Sequence, residues 1–221
     1  MSLQYPDDRG RHRPGTAARA LRANHAIGFD LGDGAFSNPK YPQPETLDEE
    51  RLLRRQRLAI AFRVFARLGF DDGAAGHITA RDPEHTDHFW VNPVGCPWGL
   101  LRVRDLLLVG PDGDVVEGSG RVNLPAFTIH SRVHAARPDV VAAAHAHTPA
   151  GRALASLHQP LEPLNQDACA FYGDHALANH FGGVVNTDDE GALVTRALGN
   201  CKAAVLGNHG LITVGHTVDS A

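Results

Sequence analysis

The chain has 221 residues, 43% of them hydrophobic and 21% charged, which is typical of a folded domain and too apolar for an intrinsically disordered protein. Lys+Arg total 21 against 25 for Asp+Glu, so the net charge of −4 offers no basic surplus for a nucleic-acid partner. No uninterrupted apolar run approaches the ~20 residues of a membrane-spanning helix, so we expect no membrane partner.

The chain divides by composition into an arm and a domain. Residues 1–43 are rich in Gly, Pro, Arg and Asp and have no apolar period, so we expect a flexible or loosely packed N-terminal arm. Residues 44–221 alternate between strand-like and helical segments and contain no internal repeat, which predicts one α/β domain. Thr217–Ala221 resembles the first turn of a helix. We therefore expect the domain to lack, or be truncated at, a final C-terminal helix.

The domain is predicted to begin with a long helix. Thr46 followed by Glu49 is a capping-box pattern, in which the threonine hydroxyl accepts from the amide three residues on. Broadly helical apolar spacing continues to Leu68, and Gly69 stands where a helix commonly ends. This predicts an amphipathic helix over 47–68 with its arginines in solvent.

Short strands and helices follow in alternation, separated by Gly and Pro. Strands are expected within 76–81, 88–92, 106–109, 115–116, 140–147, 203–206 and 211–214, and helices at 125–137, 149–157 and 188–198. Residues 158–187 show little regular pattern. The order of elements indicates a strand-rich sheet with several helices in one α/β unit.

Histidine is the unusual residue of this composition, with 14 copies against a single methionine. The sharpest local pattern is His145-Ala-His147. Residues two apart face opposite ways in a helix, but in a strand they point to the same side and both side chains can reach one ion. An isolated pair of this kind is as compatible with two structural histidines as with two metal ligands.

His209 lies in Gly207-Asn-His-Gly210, the predicted turn of a hairpin, where glycines permit unusual backbone angles. Three neutral imidazoles with one open position describe a catalytic divalent-metal site. The alternative is that His209 is a turn residue that caps a carbonyl group.

His130 and His134 form a rival pair, because they lie four residues apart on one face of the predicted 125–137 helix. A zincin pair would carry glutamate directly after the first histidine, and Ser131 stands there instead. The two histidines are therefore expected to support the site or exchange protons, or else to be buried and hydrogen-bonded. Cys96, Cys169 and Cys201 are far apart and form no CxxC pair, which favours reduced thiols in a cytoplasmic protein.

Several segments together resemble the class II aldolase/adducin family, and they occur in the family's order over roughly 46–221. The matching segments are Ala75-Gly-His-Ile-Thr79, Val91-Asn-Pro-Val-Gly95, Leu106-Leu-Leu-Val-Gly-Pro-Asp-Gly113, Ile129-His-Ser-Arg-Val-His134, Ala136-Arg-Pro-Asp-Val140, His145-Ala-His-Thr148 and Gly207-Asn-His-Gly-Leu-Ile212. The resemblance implies a three-layer α/β/α fold around a mixed, mostly antiparallel sheet. It also implies a homotetramer with active sites near subunit interfaces.

The resemblance further implies a divalent cation bound by His145, His147 and His209. Zinc is the metal we expect first, and Mn, Fe, Co and Ni are the alternatives, since imidazole suits several of these ions. The catalytic glutamate of the sugar-phosphate aldolases corresponds to Ala126 in this chain. The aldolase base is therefore expected to be missing.

The phosphate-binding positions of the aldolases are also altered. They correspond to His77, Val94-Gly95 and Leu124-Pro125, which removes hydroxyl donors worth about 1.5–3 kcal/mol each to a charged group. The substrate-binding residues expected in their place are His77, Asn92, Gly95 and Asn123. A carboxylate or hydroxyl group suits these donors better than a phosphate dianion does.

The sequence therefore predicts a divalent-metal-dependent lyase that cleaves a carbon–carbon bond through a metal-stabilised enolate. A decarboxylase-like reaction on a small, non-phosphorylated hydroxy or oxo acid is favoured over a sugar-phosphate aldolase, because decarboxylation needs no base to remove a proton. His130 and His134 are the expected proton-delivering residues. The alternatives are a non-haem iron oxygenase on the same fold and a non-catalytic, adducin-like assembly domain.

Overall fold

The computed structural model describes residues 42–72, 75–179 and 188–221, with side chains from residue 191 onward in the last range. The arm predicted over 1–43 lies outside the described residues except for its last two positions. The predicted domain corresponds to the unit Pro44–Ala221.

The described residues contain five α-helices, eight strands and two short 3-10 helices. The α-helices are α1 Leu47–Arg67, α2 Leu124–Ala136, α3 Pro149–Ser156, α4 Gln166–Cys169 and α5 Asp188–Leu198. The strands are β1 His77–Arg81, β2 Phe89–Val91, β3 Leu107–Val109, β4 Val115–Glu117, β5 Ala142–Ala146, β6 His175–Ala178, β7 Ala203–Leu206 and β8 Gly210–Gly215. The 3-10 helices are Trp98–Leu100 and Val103–Asp105.

The eight strands form one sheet in the order β4-β3-β2-β1-β5-β8-β7-β6. Every neighbouring pair is antiparallel except β6 and β7, which are parallel. The prediction of a mixed, mostly antiparallel sheet is confirmed. Strand β5 lies near the middle of this sheet, where His145 is paired with His77 of β1 on one side and Ile212 of β8 on the other.

The sheet is covered by helices on both faces, and the side chains of β5 show how the two faces are divided. Ala142 and Ala144 pack into a core with Leu58 and Phe62 of α1. Ala143 points the other way, into a second core with residues of α2 and α5. This alternation is the two-residue period of a strand, and it confirms the predicted three-layer α/β/α arrangement.

Helix α1 begins as predicted, because the Thr46 hydroxyl accepts a hydrogen bond of 3.2 Å from the Glu49 amide. The prediction that its arginines lie in solvent is wrong for those facing the sheet. Arg51 donates to the buried carboxylate of Asp82 at 2.8 and 3.0 Å, and the Arg55 guanidinium lies 4.1 Å from the ring centre of Trp90. These side chains pack their stems on the domain while their charged ends are paired.

Other differences from the sequence prediction are local. Strand β6 and helix α4 fall within 158–187, where no regular element was expected, and residues 180–187 of that range lie outside the described residues. Thr217–Ser220 forms a turn in which the threonine hydroxyl accepts from the serine amide at 3.1 Å, rather than the first turn of a helix. No helix in the part of the chain that the structure describes combines the length and apolarity needed to cross a membrane.

Candidate metal centre

The centre of the site is the end of strand β5. His145 is the fourth residue of that strand, and His147 directly follows its last residue, so the two side chains emerge on the same side. Their Nε2 atoms lie 3.0 Å apart. His145 is buried, with 1% of its surface exposed, and His147 is half-buried at the mouth of the site.

His209 reaches the same point from the β7–β8 hairpin. The turn is closed by a hydrogen bond of 3.0 Å from the His209 amide to the Leu206 carbonyl, and Asn208 adopts a φ of +55°. The ring of His209 lies 4.7 Å from that of His145 and 4.8 Å from that of His147, between ring centres. One ring nitrogen from each of the three histidines falls within 4.8 Å of the others.

The protonation of these rings suits a cation. His145 Nδ1 lies 2.8 Å from the Leu211 carbonyl, which can only accept, so Nδ1 carries the proton and Nε2 presents its lone pair. Burial, together with the neighbouring histidines, lowers the pKa of His145 well below its ordinary value. Burial beside His147 lowers the pKa of His209 to about 4. Both rings are therefore neutral at pH 7, as metal ligation requires.

Gly210 keeps space open beside the three rings. A Cβ atom at this position would lie 2.8 Å from the Ala146 carbonyl oxygen, 3.2 Å from His147 Cδ2 and 3.5 Å from His145 Cε1. A hydrogen bond between two of the ring nitrogens would explain why those two histidines lie close together. It would not explain why a third histidine points to the same place. The donor set and the glycine cradle fit a divalent ion with three imidazole ligands and room for a further one.

A cavity of about 240 Å³, named here the front cavity, adjoins this centre through His77. It is lined by Asp71, Gly76, His77, Asn92, Val94, Gly95, Cys96, Pro97, Trp98 and Asn123. All four residues predicted to bind substrate, His77, Asn92, Gly95 and Asn123, therefore line one cavity. The His77 ring stacks on that of His145 with centres 5.3 Å apart, which connects the cavity to the metal centre.

His130 and His134 lie deeper, beneath the sheet, and neither is among the described residues that line the front cavity. Both are buried, and both contact the hydroxyl of Thr79 on β1. His130 Nδ1 lies 2.7 Å from Thr79 Oγ1 and His134 Nε2 lies 2.8 Å from it. Burial, with Arg81 nearby, lowers the pKa of His134 to about 3, and burial lowers that of His130 well below its ordinary value.

Several residues of the site were not predicted from the sequence. Thr79 ends one of the matching segments but was given no role, because a threonine in a strand is commonplace. Its hydroxyl contacts both helix histidines. Trp98 is buried in the core and also lines the front cavity. Asp71 belongs to no motif recognised in the sequence, and it adds a carboxylate to the lining of the front cavity. Ala126, at the position of the aldolase glutamate, is buried near the start of α2.

The family model described as the class II aldolase and adducin N-terminal domain matches residues 56–221. The chain belongs to this family. Decarboxylase NovR from Streptomyces niveus is 47% identical over 192 residues, which cover 86% of this chain and 70% of that protein. A protein from Streptomyces roseochromogenus subsp. oscitans is 46% identical over 192 residues, with 86% and 69% coverage. It is named 4-hydroxy-3-prenylphenylpyruvate oxygenase/4-hydroxy-3-prenylbenzoate synthase.

Among solved structures, the chain is similar to one named L-fuculose 1-phosphate aldolase from Glaciozyma antarctica PI12. The TM-score is 0.75 and the sequence identity is 46%, with 82% of this chain and 71% of that chain covered. The names of these three similar proteins cover decarboxylation, oxygenation and aldol cleavage. The residues of this chain must decide between those reactions.

Proposed function

We propose that this protein is a divalent-metal-dependent lyase of the decarboxylase type that acts on a small, non-phosphorylated hydroxy or oxo acid. The observation that carries the proposal is the convergence of His145, His147 and His209 beside a cavity without a lysine or arginine among its described lining residues. A cation bound by these histidines would supply Lewis-acid stabilisation of negative charge on a substrate oxygen. The chain's own residues then decide which substrate enters and where its proton comes from.

The front cavity disfavours a phosphate group. Its described lining contains no lysine or arginine, and Asp71 adds a carboxylate. A dianion would leave water for a site with few charge-assisted hydrogen bonds, which is costly. Neutral or singly charged polar groups are better matched by the ring of His77 and the side-chain amides of Asn92 and Asn123. This supports a hydroxy or oxo acid, against the reaction named for the similar aldolase structure.

The alanine at the position of the aldolase glutamate also supports decarboxylation. Ala126 offers no proton acceptor, whereas loss of CO2 needs none, because the bond that breaks leaves its electron pair on the substrate. The product still requires one proton at the carbon that lost CO2. We propose that His130 and His134 supply it, in agreement with the contact between the rings of His130 and His77.

A second candidate function is oxygenation, which is favoured by the name of the oxygenase relative at 46% identity. Imidazole ligands suit iron(II) as well as zinc. The usual iron site of such enzymes has two histidines and one carboxylate, and no carboxylate joins the three histidines in the described cluster. Oxygenation therefore ranks below decarboxylation.

The test measures CO2 release from a panel of hydroxybenzoates and hydroxyphenylpyruvates by protein loaded in turn with Zn, Mn, Fe, Co or Ni. We expect release that is lost in His147→Ala and kept in the control His85→Ala, since His85 is exposed and outside the centre. Oxygen consumption confined to the iron-loaded protein would favour the oxygenase. Cleavage of L-fuculose 1-phosphate without CO2 release from any acid would contradict the proposal.

We further propose that zinc is the resident metal and that the protein works as a cytoplasmic homotetramer. The exposed residues Ile60, Val64 and Leu68 support assembly, because they lie four residues apart on one face of α1 and its end. Light scattering should then give a mass four times the 23.7 kDa of the chain. A metal-free protein with tight binding to a protein partner would instead favour the adducin-like alternative.

A further inference from the structure

A second cavity, named here the rear cavity, lies at the opposite ends of the strands that border the front cavity. Its volume is about 360 Å³, and it is lined by Arg81, Asp87, Pro111, Asp112, Phe127, Ser131, Arg132, His134 and Ala135. Strand β1 begins at the front cavity with His77 and ends at the rear cavity with Arg81. The interior between the two cavities is occupied by a row of polar side chains.

This row forms because the spacing of two residues on β1 is close to the spacing of two histidines on α2. His77 and Thr79 are two residues apart on one face of β1, about 6.5–7 Å along the strand. His130 and His134 are one turn apart on the facing side of α2, about 6 Å along the helix. The rings of His77 and His130 are perpendicular with centres 5.4 Å apart. Each helix histidine contacts the Thr79 hydroxyl, so the row runs His77, His130, Thr79, His134.

The Thr79 hydroxyl requires that one of the two ring nitrogens that face it carries a proton and that the other does not. It has one proton to donate, and ring nitrogens face it at 2.7 and 2.8 Å. Both rings are neutral, so the hydroxyl donates to one ring and accepts from the N–H of the other. Among the described residues, the outer nitrogens of the pair, His130 Nε2 and His134 Nδ1, have no hydrogen-bond partner. One of them therefore carries a proton and the other is bare.

We propose that His130, Thr79 and His134 form a proton relay between the rear cavity and the front cavity, with the Thr79 hydroxyl as its central, positioning group. A proton taken up at His134 Nδ1 releases the Nε2 proton of that ring to the Thr79 oxygen. The hydroxyl passes its own proton to His130 Nδ1, and His130 releases its Nε2 proton to the bare ring nitrogen of His77. His77 then gives the proton of its other ring nitrogen to the carbon that lost CO2 in the front cavity. One proton enters, one leaves and no charge stays in the interior.

The relay rests on the proposed function, because it names the route by which the product of decarboxylation receives its proton from solvent. It also explains why two buried histidines contact the same hydroxyl, that of Thr79, in the core. A purely structural trio would not need to connect two cavities.

The first experiment needs no substrate and measures which ring nitrogens carry protons, by long-range ¹H–¹⁵N NMR of histidine-labelled protein. The wild-type protein should show the same tautomer on His130 and His134, because the Thr79 hydroxyl faces Nδ1 of one ring and Nε2 of the other. Thr79→Val removes the hydroxyl at similar volume and should uncouple the two rings, whereas Thr79→Ser should restore the matched tautomers. Thr128→Val is the control, since Thr128 is buried on the same helix outside the row. Opposite tautomers on the two wild-type rings would overturn the relay.

The second experiment measures turnover of a hydroxy-aromatic acid that the wild-type protein decarboxylates. Thr79→Val should lower kcat by about 100-fold, as for loss of an acid–base group, with little change in KM. Thr79→Ser should recover most of kcat, and Thr128→Val should match the wild-type protein. A Thr79→Val variant that folds and keeps the wild-type kcat would overturn the relay. If the wild-type protein decarboxylates nothing, the proposed function fails and the tautomer measurement alone decides the relay.

Discussion

At the scale of single residues, the site depends on the absence of a side chain at Gly210 as much as on the histidines themselves. Three histidines converge because Gly210, directly after His209, has no Cβ to fill the space beside their rings. The ligand positions were predictable from the sequence, because an HxH pair in a strand and a histidine between glycines in a turn have a chemical meaning on their own. Thr79 was not, since its role depends on a helix 51 residues away.

Gly210→Ala should weaken zinc binding by at least about 10-fold, as is found when the surroundings of metal ligands are disturbed. The added Cβ would lie 2.8 Å from a backbone oxygen that cannot turn aside and 3.2 Å from the ring of His147. Isothermal titration of the apo protein with zinc measures the change. Gly99→Ala is the matched control, because its Cβ would meet only Ala66 Cβ at an ordinary 3.7 Å. Equal affinity of both variants would contradict the proposed role of the glycine cradle.

At the scale of elements, one buried carboxylate fastens α1 to the sheet. Asp82 is fully buried after β1 and accepts from Arg51 at 2.8 and 3.0 Å, from Trp90 Nε1 at 2.9 Å and from two backbone amides. Burial alone would raise the pKa of Asp82, but these hydrogen bonds outweigh it and hold the pKa well below its ordinary value near 3.8. The helix was predictable from its cap and spacing, while this attachment was not, because its partners lie 31 residues apart.

Asp82→Asn should lower the free energy of unfolding at pH 7 by about 3–5 kcal/mol, because it leaves Arg51 facing a neutral amide in a buried site. Urea unfolding measures this value. Asp48→Asn is the control and should change little, since its contact with Arg51 is exposed and 3.5 Å long.

The wild-type protein and the Asp82→Asn variant also test the pKa of Asp82. A carboxyl group whose pKa is lower in the folded state stabilises the protein above its unfolded value and loses that effect as the pH falls below it. The difference between wild-type protein and Asp82→Asn should therefore shrink by about 1 kcal/mol from pH 7 to pH 3. A difference that grows on acidification would show that the folded pKa is raised instead.

At the scale of the whole molecule, the sheet brings distant segments to one site. Strand β5 in the middle of the sheet is flanked by β1 and β8, so His77, His145 and the β7–β8 hairpin become neighbours although they are far apart in sequence. Most strands were predictable from apolar runs and turn residues. Strand β6 was not, because its four residues gain their order by parallel pairing with β7 rather than from a local pattern.

The proposed metal centre requires that all three imidazoles hold one ion, and anomalous X-ray diffraction from zinc-saturated crystals measures this most directly. We predict a single zinc peak about 2.0–2.1 Å from a ring nitrogen of each of His145, His147 and His209. A zinc ion bound elsewhere, with these three histidines bare in saturated crystals, would contradict the account.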